Sequence, residues 1–248
     1  MNTVVLRRAC RAEWTKLHTD TGFWWLLAGL VSVTVAMGAA TSGSARSLGD
    51  PARLALSGVT VGQALAVLLA VLNVGGEYGT GLINTTLSAV PARLTMLAAK
   101  AAVLSLSVAV AGGVAVAGSL LVGHLLLPGA PAVTDAPMLR AAVGSVVYLV
   151  LIELLSLGVT FALRDGAAAS AASLALLYLF PLLSHVVTDP WLQRQLARIG
   201  PMPAGLTIQA TRDLSSLPTS PWAGLGVLGL WTAAALLAGA AVLRWRRR

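Results

Sequence analysis

Few side chains in this sequence could take part in catalysis, and their spacing fits no common catalytic pattern. A phosphate-binding loop needs a lysine in a GxxxxGK[ST] segment, but the two lysines, Lys16 and Lys100, lie in AEWTKL and LAAKAA. No GxSxG nucleophile element occurs. The three histidines lie in separate segments, and the one cysteine excludes an intramolecular disulfide and a cysteine-based metal cluster. We therefore expect no catalytic residue, and no metal or cofactor bound by this chain.

Glu153 is the acidic residue that most needs an explanation, because it lies in the middle of an apolar run at residues 141–163. If this run crosses a membrane, an ionisable side chain there costs roughly 2.5–3.5 kcal/mol. The carboxyl group must then face other helices or a hydrated cavity, or be protonated. Two interpretations remain open. Glu153 is either functional, as a substrate contact or proton relay, or structural, as a hydrogen-bond partner of another helix.

The composition as a whole is that of a membrane protein. Hydrophobic residues make up 57% of the 248 positions, charged residues make up 10%, and the mean hydropathy is +0.83. Water-soluble domains carry about 25% charged residues, so this chain lacks the polar surface that such a domain needs. The net charge of +8 does not indicate a nucleic-acid partner, because the basic residues are divided between the chain ends and short loops.

Six apolar segments are separated by short polar stretches, and each is long enough to cross a bilayer. Because lipid offers the backbone no hydrogen-bond partners, each segment is expected to be a helix. We predict an all-α membrane protein with one transmembrane domain over residues 1–248 and with spans at about 23–40, 56–74, 101–127, 141–163, 167–187 and 222–243.

The basic residues predict how the chain is oriented, since cytoplasmic loops of membrane proteins carry an excess of lysine and arginine. With the N-terminus in the cytoplasm, eleven of the 17 basic residues lie inside and six lie outside. Both termini are therefore expected to be cytoplasmic. The six outside residues are Arg46, Arg53, Arg140, Arg194, Arg198 and Arg212.

Residues 1–22 precede the first span and have the pattern of a separate helix. Its apolar residues share one face: Leu6, Cys10, Trp14 and Leu17. A basic amphipathic helix with a tryptophan is typical of a helix that lies in the membrane interface. Glu13 interrupts the apolar face, so it is either a surface carboxylate or the partner of a basic group on a neighbouring segment. Glu13, Trp14 and Lys16 are the candidate functional residues of this helix.

The connection between the second and third spans, residues 75–100, is more patterned than a simple linker. Its glycines are expected to end the second span. Thr80 could cap a short cytoplasmic helix that runs to about Val90, where Pro91 would stop it.

The connection before the sixth span, residues 188–221, also contains a helix signal. Asp189 followed by Pro190 marks a helix start, and the sequence GPMP at residues 200–203 is expected to end that helix. We predict that this segment lies in or dips into the outer membrane interface.

Together these elements resemble the bacterial type-2 ATP-binding-cassette (ABC-2) exporter permeases. Three stretches carry the resemblance, in the same order along the chain as in that family: AEWTKLHTDTGFWWL at 12–26, GEYGTGLINTTLSAVPAR at 76–93 and ALRDGAAASAASLALLYLFPLL at 162–183. The resemblance implies a permease that contains no ATPase site and that pairs with a separate ABC-type ATPase, which binds ATP and magnesium. It also implies a second permease copy, identical or different, in the bacterial cell membrane.

The resemblance further implies that the connection at 76–93 contains a coupling helix that docks on the ATPase. The residues that it assigns to this contact are Glu77, Tyr78, Leu82, Thr85, Thr86 and Arg93. Glu77 is expected to be a solvated carboxylate just outside the membrane.

Two other functions stay open for the whole chain: an ion-coupled secondary transporter, which internal repeats and broken helices would favour, and a membrane-embedded enzyme. The transported substrate is not readable from the sequence.

Overall fold

The computed structural model describes residues 3–44, 49–82, 93–126 and 134–245, and within these ranges the chain forms helices and no β-strand. Two 3₁₀ turns, Leu206–Gln209 and Leu214–Ser216, precede the last helix. The helices are α1 Thr3–Thr19, α2 Thr21–Ser44, α3 Pro51–Ala55, α4 Val59–Gly79, α5 Arg93–Leu126, α6 Ala136–Leu163, α7 Gly166–Val186, α8 Pro190–Ile199, α9 Pro201–Gly205 and α10 Pro221–Trp245.

Six of these helices are long and apolar enough to cross a membrane: α2, α4, α5, α6, α7 and α10. They contain between 21 and 34 residues, and at about 1.5 Å per residue even 21 residues span the roughly 30 Å of a hydrocarbon core. Each overlaps one of the six apolar segments of the sequence. The prediction of an all-α, multi-pass membrane protein is confirmed.

The six long helices alternate in direction, so the connections lie at two ends of the bundle. One end, here called the N-terminal face, holds α1, the end of α4, the start of α5 and the end of α10. There the guanidinium groups of Arg93 and Arg164 each donate to a carbonyl oxygen at the end of α10, at Leu243 and Val242 respectively, over 2.7 Å. Such bonds satisfy carbonyl groups that a helix end leaves without partners. We call the other end of the bundle the opposite face.

Helix α6 is the centre of the bundle and packs against α4, α5, α7 and α10. Small residues allow the closest approach. A Cβ atom at Gly158 would lie 2.5 Å from the backbone of Ala235 on α10, so only glycine fits there. One turn away along α10, the Thr232 hydroxyl donates to the carbonyl oxygen of Leu151 over 3.0 Å. Close backbone contact and interhelical hydrogen bonds are the usual means by which membrane helices associate.

Helix α4 continues through Gly75 and Gly76, the first two of the glycines that were expected to end it. It ends at Gly79, with Thr80 as its C-cap. The reason is packing: a Cβ atom at Gly75 would lie 2.7 Å from the Cα atom of Gly166 at the start of α7. Gly75 therefore allows α4 and α7 to pack closely, and the predicted break after Val74 is wrong. The predicted short helix to Val90 falls mostly on residues outside the described ranges.

The segment between α7 and α10 enters the bundle at the opposite face. Asp189 caps α8 by accepting a hydrogen bond from the backbone N–H of Trp191, as its sequence predicts, and α8 ends at Ile199. Helix α9 and the 3₁₀ turn after it are buried against α6 and α10. A Cβ atom at Gly144 of α6 would lie 2.0 Å from the Ile208 side chain, so this approach too depends on glycine.

Helix α1 packs mainly along α5, and most of its expected apolar face points to the bundle. Its buried residues are Ala9, Glu13 and Leu17, which are spaced four apart and so share one face. Trp14, which the pattern places on the apolar face, is 44% exposed. Glu13 is tolerated on the buried face because its carboxylate pairs with the Lys100 ammonium of α5.

Candidate functional site

A cluster of four charged side chains lies at the N-terminal face, where α1, α4 and α5 meet: Glu13, Lys16, Glu77 and Lys100. The Lys100 ammonium donates to Glu13 Oε2 and to Glu77 Oε1, each over 2.8 Å. Its third contact is the side-chain oxygen of Asn73 at 3.4 Å. Lys16 donates to the same Glu77 oxygen. We call these five side chains the charge cluster.

Regular helix spacing brings the members of the charge cluster together. Glu13 and Lys16 are three residues apart on α1, and Asn73 and Glu77 are four apart on α4, so each pair shares one face of its helix. Lys100 lies in the second turn of α5. One lysine thus connects two carboxylates that belong to different helices.

The charge cluster is almost sealed from solvent. Lys100 is 1% exposed, Glu77 3% and Glu13 7%, whereas the Lys16 side chain is 43% exposed. Two carboxylates face two ammonium groups, so the formal charges balance. Balance matters because a buried charge that loses its partner costs about 3–5 kcal/mol. The cluster therefore holds the three helices in one arrangement.

The other predicted residues of this region lie around the charge cluster rather than in it. Tyr78 is half-buried and packs edge-on against Phe161 of α6, with ring centroids 6.4 Å apart. Leu82 is 52% exposed, and Arg93 binds the end of α10. Trp14 lies beside His18, with ring centroids 6.3 Å apart. Thr85 and Thr86 fall outside the described ranges.

Glu13 and Glu77 are both buried in the charge cluster. Of the two interpretations of Glu13, the structure shows the pair with a basic group of a neighbouring segment, Lys100. The expectation that Glu77 is solvated is wrong, because α4 continues past Val74 and carries this residue into the bundle. Its second oxygen, Oε2, is buried and accepts no hydrogen bond from any described residue.

Sequence reasoning missed Lys100 and Asn73. The apolar pattern predicts that the third span begins at about residue 101, which places Lys100 in the preceding connection. In the structure α5 begins at Arg93, which places Lys100 inside a helix. The available signal was its surroundings, since a lysine inside the apolar sequence LAAKAA needs an acidic partner.

Glu153 is a second buried carboxylate, separate from the charge cluster. It is 0% exposed, and its Oε2 accepts a hydrogen bond of 2.9 Å from the Ser105 hydroxyl of α5. Its Oε1 accepts none from the residues that the structure describes. Ser105 follows Lys100 by five residues on α5, which is about 7.5 Å along a helix. Glu153 therefore has a hydroxyl partner deeper in the bundle.

The opposite face contains a polar network of uncharged side chains. Tyr148 of α6 donates to the Gln63 side chain of α4, and Gln209 donates to Ser145 over 3.2 Å. These bonds attach the 3₁₀ turn after α9 to α6 and extend to α4. The network stabilises the entry of this segment into the bundle and contains no nucleophile activated by a base.

Nearby, Asp50 binds the chain before α10. It accepts hydrogen bonds from the hydroxyl of Thr211 over 2.6 Å and from the backbone N–H groups of Thr211 and Arg212. Partial burial raises the pKa of Asp50, but the hydrogen bonds from Thr211, Arg212 and Ala52 outweigh it and leave the pKa below its usual value. The ionised form thus joins α3 to this segment.

Within the described ranges no three His, Cys, Asp or Glu side chains lie close enough to hold a metal ion. Comparison of the sequence with models of known protein families and with characterised proteins found no match. The function must therefore be argued from the residues and their geometry.

Proposed function

We propose that this chain is the membrane-spanning permease subunit of an ABC-2 type exporter. In this proposal it moves a substrate out of the bacterial cytoplasm, and a separate ATPase subunit binds ATP and magnesium and supplies the energy. The N-terminal face is cytoplasmic, in agreement with the distribution of basic residues. A second permease copy, identical or different, completes the pathway.

The observation that carries this proposal is the position of the charge cluster. Glu77 lies three residues before Thr80, where α4 ends and the connection to α5 begins. Lys100 lies in the second turn after that connection. Both residues bind each other, and both bind α1. A force on residues 80–93 would therefore reach α1, α4 and α5 together, as transmission from an ATPase requires.

The structure changes which residues we assign to the ATPase contact. Glu77 is too buried to touch another protein in this conformation, so we give it a positioning role within the charge cluster. The exposed turn at residues 80–82 follows it directly and is the described part of the proposed contact. Thr85, Thr86 and the rest of the connection remain part of this proposal through the resemblance alone.

The mechanism follows from differential binding. ATP-driven closure of two ATPase subunits would favour one arrangement of the N-terminal faces, and ATP hydrolysis would favour the other. Such switching works only if the nucleotide states bind the two permease conformations with different free energies. The buried charge cluster would keep α1, α4 and α5 rigid with respect to one another, so that the movement is passed on to α6 and α10 instead of being absorbed locally.

The proposal is tested by purifying the chain with an affinity tag from the organism that encodes it. We expect a P-loop ATPase to copurify and the complex to hydrolyse ATP. The tagged chain produced alone should hydrolyse none, because both of its lysines lie outside any phosphate-binding loop. A chain that transports its substrate without an ATPase would contradict the proposal.

Glu153 favours a second candidate, an ion-coupled transporter. A buried carboxylate with one oxygen that no described residue binds could take up a proton or cation during transport. Glu153→Gln preserves the shape and most hydrogen-bonding capacity. If this variant assembles but transports nothing, ionisation of Glu153 is required and the second candidate gains support. If transport persists and Glu153→Leu fails to assemble, the residue is structural.

A further inference from the structure

Helix α8 is an amphipathic helix that contributes no fully buried residue. It lies at the opposite face, after the end of α7 and before α9 enters the bundle. Its exposed apolar side chains include Trp191 at 65% and Ile199 at 52%. In a chain that crosses a membrane, a helix with such side chains at the end of a span lies at the level of the lipid headgroups.

A basic cavity of about 720 Å³ lies against α8. Arg194 and Arg198, four residues apart on one helix face, line it together with His185 from the end of α7. Ser215 and Ser216 line it as well, and no acidic side chain does so in the part of the chain that the structure describes. Arg198 uses Nε to bind the carbonyl oxygen of Pro218 over 2.9 Å, which fixes its guanidinium plane. These donors match a phosphate group.

An apolar groove of about 750 Å³ adjoins the basic cavity, and His185 lines both. The groove follows α7 from Ala175 to His185, and between them its walls are Tyr178, Leu179, Pro181 and Leu182. Ten residues of helix measure about 15 Å, which is half of the roughly 30 Å hydrocarbon core. The groove therefore has the length and polarity of one lipid acyl chain.

We propose that the basic cavity and the groove together bind one phospholipid with an anionic headgroup. Its phosphate lies against Arg194 and Arg198, and one acyl chain lies along α7. A free phosphate ion would leave the groove without an occupant. A second copy of this chain is a poor occupant of the basic cavity, because a symmetric contact here would bring Arg194 and Arg198 of both copies to the same level. This inference depends on membrane insertion and is independent of any ATPase.

The experiment measures how much phosphatidylglycerol stays bound to the purified protein in detergent, by native mass spectrometry. The double variant Arg194→Gln/Arg198→Gln is compared with Arg53→Gln/Arg212→Gln. The control removes the same charge from two exposed arginines of the same face. The two arginines supply charge-assisted hydrogen bonds to the phosphate, so we expect the first variant to bind at least about tenfold more weakly and the control to bind like the unaltered protein.

Three further comparisons separate lipid from the other occupants. Ala175→Trp fills the groove and should lower phosphatidylglycerol binding, whereas Ala171→Trp, one turn away on α7 and exposed outside the groove, should not. Phosphatidylcholine should bind more weakly than phosphatidylglycerol. Inorganic phosphate should not displace the lipid. Three results would overturn the proposal. They are equal lipid binding by both double variants, displacement of the lipid by inorganic phosphate alone, and a dimer that Ala175→Trp dissociates without any loss of lipid.

Discussion

Lys100 is the residue on which the charge cluster depends most. It is 1% exposed and is the described partner of Glu13, whereas Glu77 also binds Lys16. Without its ammonium group, a buried carboxylate on α1 would lack a counter-charge. Both lysines form an ion pair with Glu77, but we expect the loss of Lys100 to destabilise the protein more than the loss of Lys16.

This difference predicts unequal effects of two matched substitutions. Lys100→Met should lower the free energy of unfolding in detergent by about 3–5 kcal/mol, because it leaves a buried charge uncompensated. Lys16→Met removes a partly exposed partner and should cost no more than about 1 kcal/mol. Denaturant titration followed by helical circular dichroism measures both. Equal losses in the two variants would show that the cluster does not depend on the buried lysine.

Asp50 gives the opposite face a predictable dependence on pH. Burial raises the pKa of Asp50, but hydrogen bonds from Thr211, Arg212 and Ala52 lower it further, below its ordinary value. A carboxyl whose pKa is lower in the folded state stabilises the fold above its unfolded pKa of about 3.9 and loses that contribution as the pH falls through the folded pKa. Asp50→Asn should therefore be less stable than the unaltered protein at pH 7. The difference should shrink below about pH 4. A difference that stays constant from pH 7 to pH 3 would contradict this role for ionised Asp50.

At the level of single residues, the sequence identified the important carboxylates but not what they bind. Glu13 interrupts an apolar helix face, Glu153 lies in the middle of an apolar run, and Glu77 was assigned by the family resemblance. Their partners lie far away in the sequence. Lys100 is 87 residues from Glu13 and 23 from Glu77, and Ser105 is 48 residues from Glu153. Such pairs depend on how helices pack, which hydrophobic periodicity does not determine.

The glycines of α4 show how an element can be misread from its sequence. In water, a run with several glycines is a good signal for the end of a helix. In lipid the backbone has no alternative hydrogen-bond partner, so the helix continues. Gly75 then permits contact with Gly166, while a Cβ atom at Gly76 would meet nothing within 4 Å.

These two neighbouring glycines provide a matched test. Gly75→Ala should destabilise the protein by about 1–3 kcal/mol, because the added methyl group meets backbone atoms that have no room to move. Gly76→Ala points into open space and should be neutral or stabilise α4 by up to about 1 kcal/mol. Thermal unfolding of the two variants side by side measures the difference. If Gly75→Ala is tolerated as well as Gly76→Ala, α4 and α7 do not approach each other as described.

For the whole molecule, the sequence predicted the number of spans and their order well, because each long apolar run has only one stable form in lipid. It predicted less well which side chains of the short helices are buried. The burial of Glu13 on α1 goes with its ion pair to Lys100. Helix α9 lies close to α10 because Gly224 has no Cβ atom, which would lie 2.0 Å from the carbonyl oxygen of Ala204. Both are properties of the assembled bundle.

In the proposed function, an ATPase acts on the N-terminal face of the bundle, which holds the charge cluster. The proposal therefore requires the exposed turn at residues 80–82, after α4, to face the cytoplasm and the turn before α10 to face the outside. Cysteines can distinguish the two faces once Cys10 is replaced by serine, because Cys10 is the only natural cysteine. Leu82 is 52% exposed at the first position, and Ser216 is exposed at the second.

The most direct measurement is cross-linking from Leu82→Cys in whole membranes, with Ser216→Cys as the matched control. We expect Leu82→Cys to cross-link to a P-loop ATPase and not to be labelled by an impermeant thiol reagent outside the cell. We expect Ser216→Cys to be labelled from outside and to cross-link to no ATPase. Labelling of Leu82→Cys from outside, or an efficient cross-link from it to proteins that include no ATPase, would contradict the central claim.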